Sequence, residues 1–372
     1  MGGQKKLIII GGGLAGLTSA ILLQKGGFEV IVFEKKRYPF HRVCGEYISN
    51  EALPFLQSLG INLSDLGASQ ISRLSVTTEL GKELKADLPM GGFGLSRYEL
   101  DNMLFKHAEK LGVSFLFEKV IDIKFKEEMF EITAESGIHS SRLAIAAHGK
   151  RSNLDQKLNR AFFYNRSPYL GVKYHINTDL PNNLIRLDNF SGGYAGVCKI
   201  ENQKFNLCYL STTANLKNYQ GISEMEENVL HRNPFLKHLF KNSEFITEKP
   251  EVINEISFEP KTLIEDHLLF CGDSAGMITP LCGNGMAIAI HTAKILSESI
   301  IRHASEHNFN RLTLEQDYSK RWKKEFVWRL RSGRIIQHLF GKPLLSEIAV
   351  GTLNKLPVLN QMIVKKTHGK VF

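Results

Sequence analysis

Three glycines, Gly11-x-Gly13-x-x-Gly16, stand between an apolar run, Leu7 to Ile10, and a stretch of helical character from Leu14 to Lys25. Their spacing suits the binding of a pyrophosphate. The first glycine permits a tight turn, the second lets backbone amides approach the anion, and the third brings helix against strand. The helix then presents unpaired N–H groups and the positive end of its macrodipole to the negative charge. Leu14 and Ala15 are its first residues, and Ala20 lies a turn further on, small enough for close packing. Glu34 ends the next apolar run, Glu29 to Phe33, 18 residues after Gly16. There its carboxylate can accept hydrogen bonds from ribose hydroxyls. With strand, helix and terminal acid in register, the pattern predicts a dinucleotide clasp.

A βαβ unit must carry these residues. Ser96-x-x-Glu99 forms a capping box that opens a helix with Leu100, Leu104 and Leu111 at helical spacing; Gly112 closes it before an expected strand, Val113 to Phe117. Alternating segments from Val120 to Phe125, Phe130 to Thr133 and Leu143 to Ala147 suggest a small antiparallel excursion that returns to a parallel sheet. Between about 165 and 260 the pattern changes to short strands, among them Gly171 to Ile176, Tyr194 to Ile200 and Phe205 to Leu210, with one helix around Ser223 to Phe240. A last apolar strand, Leu268 to Cys271, leads into Gly272-Asp273 and a long helix from about Met286 to Arg302. The expected division is a discontinuous nucleotide domain (1–70, 94–160 and 262–305), an antiparallel-sheet substrate domain (71–93 and 161–261) and a helical C-terminal segment (306–372).

The segment Gly272-Asp273-Ser274-Ala275-Gly276-Met277-Ile278-Thr279-Pro280-Leu281-Cys282-Gly283-Asn284-Gly285-Met286 resembles the second FAD motif of flavoprotein oxidoreductases. The resemblance implies that Asp273 binds the ribitol chain and that the loop through Pro280, Gly283, Gly285 and Met286 aims a helix N-terminus at the flavin. Oriented amides there would stabilise the negative charge of the reduced ring. Arg42-Val43-Cys44-Gly45-Glu46 resembles the C-G-E segment of the archaeal branch of geranylgeranyl reductases, and Ser96-Arg97 resembles that family's FAD-contacting arginine. Gly276, where aromatic hydroxylases usually carry histidine, points the same way. Arg42, Cys44, Gly45, Arg97 and Val120 are accordingly candidate cofactor contacts. The implied fold is α/β: a Rossmann-like FAD domain of the p-hydroxybenzoate hydroxylase/glutathione reductase type, an α+β second domain with an antiparallel sheet, and C-terminal helices.

Departures from the pattern bear on substrate. Geranylgeranyl reductases usually carry Y-x-W-x-F-P in the middle sheet, where this chain has Gly192-Gly193-Tyr194-Ala195-Gly196-Val197. Flavin-dependent halogenases need W-x-W-x-I-P, yet the only tryptophans are Trp322 and Trp328, which argues against a halogenase. His148-Gly149 stands where many hydroxylases have Asp-Gly, and no second G-x-G-x-x-G marks a separate NAD domain.

The five cysteines, Cys44, Cys198, Cys208, Cys271 and Cys282, form no C-x-x-C pair, so neither a metal site nor a disulfide framework is expected, and a reducing cytoplasm fits. The apolar run from Leu7 leaves no room for a signal peptide before it, and no stretch reaches the ~18 apolar residues of a spanning helix. A net charge of +9 is concentrated only toward the C-terminus, where Tyr318, Trp322, Phe326 and Leu330 recur at helical spacing among lysines and arginines. Such a stripe packs on a domain beneath it; its basic flanks could also touch the inner face of a membrane. No RNA-binding motif accompanies it, so no nucleic-acid partner is expected. Cys44 and Tyr194 are the candidate catalytic residues. The leading reading is a geranylgeranyl-reductase-like FAD enzyme that acts on an apolar, isoprenoid-like small molecule or lipid. The alternatives are an FAD monooxygenase with NAD(P)H as transient donor, and a non-catalytic FAD redox sensor. The oligomeric state is left open.

Overall fold

β1 (Lys6–Ile10) and β2 (Glu29–Phe33) are parallel neighbours joined by α1 (Leu14–Lys25). The whole of β1 after Lys6 is buried, as a parallel strand covered on both faces must be. α1 is enclosed almost all round, with Leu17, Ala20, Ile21 and Leu23 fully buried, which is why it reads as apolar rather than amphipathic. The six-stranded sheet runs Ile264–Glu265, Leu268–Phe270, Leu143–Ala146, β1, β2, Ser114–Leu116. All its pairings are parallel except the short hairpin at the Ile264 edge. The computed structural model describes residues 5–277, 284–304, 309–337, 341–356 and 369–372.

Val120–Lys126, Met129–Ala134 and Gly137–Ser141 form a separate three-stranded antiparallel sheet before the chain returns to the parallel one. A nine-stranded sheet holds Tyr169–Asn177, Phe205–Thr212, Gly193–Lys199 and Leu184–Phe190 as antiparallel neighbours. Leu184–Phe190 then pairs in parallel with Ser69–Thr77, so this sheet is mixed rather than purely antiparallel. Glu83–Gly94 follows, and Tyr47–Ser49 closes the far edge, immediately after Cys44-Gly45-Glu46.

Side chains alternate across a strand, and in Tyr169–Asn177 the two faces differ sharply. Leu170, Val172, Tyr174 and Ile176 pack with Leu207, Tyr209, Met225 and Leu236. Lys173 and His175 turn the other way and reach Glu46. The single helix expected from Ser223 to Phe240 is two, Ile222–Asn228 and Pro234–Asn242. The break follows from Asn233, whose Oδ1 accepts from Phe235 N and Leu236 N at 2.9 and 3.3 Å, with Pro234 at the first helical position.

The helix Arg311–Gln337 buries Leu314, Tyr318, Trp322, Phe326 and Leu330 against the parallel-sheet core. Tyr318 Oη donates to the Phe270 carbonyl at 2.6 Å. Among the described residues no helix is long and apolar enough to cross a membrane.

Candidate functional site

The clasp forms where β1 passes into α1. Gly11 has φ +106°, a value side-chain-bearing residues rarely adopt, and a methyl group there would press on the Ala147 carbonyl. A methyl group on Gly16 would overlap the Gly11 carbonyl oxygen, so the contact between helix and strand needs hydrogen at that position. Gly13 is different. An added Cβ would meet only Arg97 Nη2, at 3.7 Å, and otherwise open space. Gly12, to which the spacing argument assigns nothing, is equally constrained: Tyr38 Oη donates to its carbonyl, and its N–H donates to Glu34 Oε2 at 3.1 Å. Glu34 is buried and also accepts from Lys36 N and from Arg42 Nη2, each at 3.1 Å.

Arg97 opens the helix Arg97–Lys110, whose cap Ser96 accepts from Glu99 N. Asp101, one turn on, receives Arg97 Nε and Nη2, both at 2.7 Å, and Arg42 Nε at 3.2 Å. Burial would lower the arginine's proton affinity, but the Asp101 carboxylate more than offsets it and holds Arg97 charged. A fixed cation therefore faces the open side of Gly13.

The second motif meets the first through small residues. Gly272 has φ +65°, and a Cβ there would lie 2.7 Å from that of Ala15. Gly272 N donates to Thr292 Oγ1 at 3.1 Å, and Ser274 Oγ to the Ala146 carbonyl at 2.6 Å. Sequence reasoning did not find the next layer. Arg160, 2% exposed, donates to the Ser274 carbonyl at 3.0 Å and to Asp155 Oδ1 at 2.8 Å, while His148 shares that carboxylate at 3.2 Å. The Ser152-x-x-Asp155 capping box was the one legible signal for it. Asp273 is half-buried and its carboxylate accepts no hydrogen bond from the described residues. Burial pushes its pKa up, against the pull of Lys261, Arg97 and Lys150. Burial in turn lowers both lysines to about 8.

Cys44-Gly45-Glu46 links the clasp to the nine-stranded sheet. Gly45 is exposed and a Cβ there would meet nothing within 4 Å. Glu46, with φ +54° and no exposure, accepts from Lys173 Nζ, from His175 at 2.8 Å and from Arg97 N at 2.9 Å. Burial alone would raise its pKa, yet Lys173 and His175 hold it below the ordinary value. Burial raises the Cys44, Cys198 and Cys208 thiols, which makes poor nucleophiles of them. Tyr194 is 3% exposed and clusters with Leu210, Ile256, Phe258 and Met277, the last belonging to the second motif. Tyr194 and Leu210 of the sheet, with Ile256 and Phe258 from the segment after its last strand, thus set an apolar wall against that motif.

The structure therefore brings together Gly11, Gly13, Leu14, Ala15, Gly16, Glu34, Arg42, Arg97 and Asp273, with Cys44 and Gly45 beside them. Gly285 and Met286 begin the helix Gly285–Ala304. Val120 starts the three-stranded sheet, its carbonyl 3.3 Å from Asn153 Nδ2. Pro280, Cys282 and Gly283 lie outside the described residues. Trp322 and Trp328 lie in the C-terminal helix, not in the sheet. His291 stacks on Phe372 at 3.9 Å, and burial lowers its pKa to about 4, so it is a packing residue.

A family model described as "FAD binding domain" matches residues 4–319. The chain belongs to that family. It is 22% identical to digeranylgeranylglycerophospholipid reductase 1 of Methanosphaera stadtmanae, over 84% of this chain and 79% of that protein. Among solved structures, the flavin-dependent brominase Bmp2 superposes with a TM-score of 0.81 at 18% identity, covering 100% of this chain and 94% of that one. A geranylgeranyl bacteriochlorophyll reductase-like protein from Thermoplasma acidophilum gives 0.76 at 19% identity, covering 95% and 91%. FAD is the cofactor, and the protein is an FAD-dependent oxidoreductase of the p-hydroxybenzoate hydroxylase fold. The open side of Gly13, the fixed Arg97 cation and the hydrogen-bond capacity left on Asp273 fit that cofactor.

Proposed function

We propose that the protein is a geranylgeranyl-reductase-like enzyme that passes electrons from reduced flavin to an apolar, unsaturated, isoprenoid-like substrate. The observation that carries this reading is the apolar wall of Tyr194, Leu210, Ile256 and Phe258 packed on Met277 of the second cofactor motif. A wall of that composition favours a hydrocarbon over a polar or charged molecule. The reductases among its relatives support the same reaction class.

Within this reading the amides at the start of α1 and the Arg97 guanidinium hold the pyrophosphate, Glu34 the adenosine ribose, and Asp273 the ribitol. Gly45 leaves space beside the ring, and Gly285 and Met286 direct their helix N-terminus at it. The flavin supplies reversible two-electron chemistry; the protein positions it, excludes water and shapes the acceptor's path. Glu46, Lys173 and His175 lock the Cys44–Glu46 segment to the sheet, so the wall and the clasp keep one geometry. The FAD domain is taken as 1–70, 94–160 and 262–305.

The test is anaerobic. Protein reduced by light or dithionite and mixed with an isoprenoid containing carbon–carbon double bonds is expected to reoxidise and yield the saturated product. Reoxidation that requires oxygen and hydroxylates a phenol would overturn the reading in favour of a monooxygenase.

A further inference from the structure

The nine-stranded sheet is hollow at its centre. Leu184–Phe190, Gly193–Lys199 and Phe205–Thr212 are adjacent strands, and apart from their end residues all but three of their positions are buried. The three are Leu187, Gly196 and Cys208, each partly exposed. Leu187 pairs with Gly196 and Gly196 with Cys208, so they form one row across two strand spacings, about 10 Å. The row lies on the face that carries Tyr194 and Leu210, two residues along the same strands. Its flanks are covered: Met277 packs by Tyr194 and Leu210, Cys44 and Gly45 lie by Asn206 and Cys198 on the opposite side, and Val350 and Leu353 of the helix Pro343–Lys355 pack on Val76 and Leu84 beyond Leu187. At the other end of the row Lys173 is buried and neutralised by Glu46.

Gly196 makes the hollow, and the fold itself does not ask for glycine there. Its φ lies outside the left-handed region, and an added Cβ would meet only Leu187 Cδ2 at 3.5 Å and the Cys208 carbonyl oxygen at 3.9 Å, both ordinary contacts. Gly193, three residues earlier, is the contrast: a Cβ there would collide with the Leu210 carbonyl. A glycine inside a strand weakens it, and one that packing does not require marks a place where another group comes close. Aligned on Tyr194, the Y-x-W-x-F-P pattern of the geranylgeranyl reductases would put tryptophan at position 196, where this chain has glycine. The room left is that of an indole, a flat fused bicycle.

We propose that Gly196 is a specificity-determining residue, which opens an apolar hollow between Leu187 and Cys208, beside Tyr194, that seats a flat fused ring carried by the unsaturated acceptor. The floor offers a ring no charge to pair with. Burial raises the Cys208 thiol and keeps it neutral, and Lys173 is spent on Glu46, so an uncharged ring suits the hollow and a phosphate or carboxylate does not. A ring laid on the Gly196 peptide meets atoms across its whole face, whereas a linear chain would leave part of the space without partners. The inference deepens the reductase reading by naming what the acceptor carries besides its double bonds, and it rests on that reading's placement of the acceptor against the Tyr194 wall.

The test compares two probes that share one unsaturated chain, geranyl methyl ether and geranyl 2-naphthyl ether, by equilibrium dialysis against the FAD-loaded, oxidised protein. Wild type is expected to bind the naphthyl ether about tenfold or more tightly than the methyl ether, a modest part of what full burial of a ring can yield. Gly196→Trp should refill the hollow, weakening the naphthyl ether by about tenfold or more while the methyl ether shifts by less than roughly threefold and the FAD content stays unchanged. Gly196→Val, whose branched side chain suits a strand, should weaken the naphthyl ether by roughly threefold to tenfold, and it decides the question if the tryptophan variant does not retain FAD. Equal binding of the two probes by wild type, binding of neither, an unchanged naphthyl affinity in Gly196→Val, or an equal loss of both probes in the variants overturns the proposal. Dialysis involves no electron transfer, whereas the anaerobic reoxidation assay does, so failure here and failure of the reductase reading are separate results.

Discussion

Gly13 and Gly16 sit in one fingerprint, yet the structure assigns them opposite mutational phenotypes. Gly13 has extended backbone, φ −86° and ψ −172°, which valine adopts readily, and its Cβ direction is open apart from Arg97 Nη2 at 3.7 Å. Gly13→Val should therefore change the stability of the cofactor-free protein by no more than about 1 kcal/mol. The new side chain fills the space beside the α1 amides. Loss of two amide bonds to a charged group, at about 1.5–3 kcal/mol each, lowers FAD affinity by roughly two to four decades. Gly16→Ala drives a methyl group into the Gly11 carbonyl, so α1 must move off β1. Overpacking of that kind costs about 1–3 kcal/mol or more, and the cost should appear with or without cofactor. Urea denaturation of the apoproteins measures the first quantity, and the FAD released from purified holoproteins the second. A Gly13→Val protein that retains its full complement of FAD, or whose apo form loses as much stability as that of Gly16→Ala, would refute the reasoning.

Asp273→Ala should weaken FAD binding by about one to two decades, the worth of a hydrogen bond to a charged group; an unchanged dissociation constant by equilibrium dialysis would remove Asp273 from the site. Glu226 makes a prediction about pH. It is buried beneath the nine-stranded sheet, accepts from Tyr174 Oη at 3.0 Å and Tyr209 Oη at 2.7 Å, and burial pushes its pKa from 4.5 up to about 7. A carboxyl with a raised folded-state pKa binds its proton more tightly in the folded chain. Its contribution is fully present below pH ~4.5 and lost as pH rises to ~7, about 3 kcal/mol in all. Glu226→Gln should flatten that decline in urea unfolding followed between pH 5 and 8, and a slope equal to wild type would count against the assignment.

Much of the geometry of the candidate cofactor clasp was legible in the chain because its parts are local. Gly11, Gly13, Gly16 and Glu34 lie within one βαβ unit, where strand, turn and helix periods fix their relative positions before any distant contact forms. The C-terminal stripe from Tyr318 to Leu330 was legible for the same reason, since helical spacing alone gathers those residues on one face, and they are buried together. What the tertiary structure decided is everything joined over long separations. Asp273 reaches the first motif only because Leu268–Phe270 pairs beside Leu143–Ala146, which pairs beside β1. Arg160 reaches the Ser274 carbonyl 114 residues away, and Glu46 meets Lys173 across 127. No periodicity encodes such meetings. They follow from which strand lies next to which, and that order is selected by burial of the whole core rather than by any local run of residues. The basic C-terminal helix shows both sources at once: helical spacing ranges Lys320, Lys323, Lys324 and Arg331 along it, but only the packing of that helix beside Lys261 and Gly276 makes them line a recess.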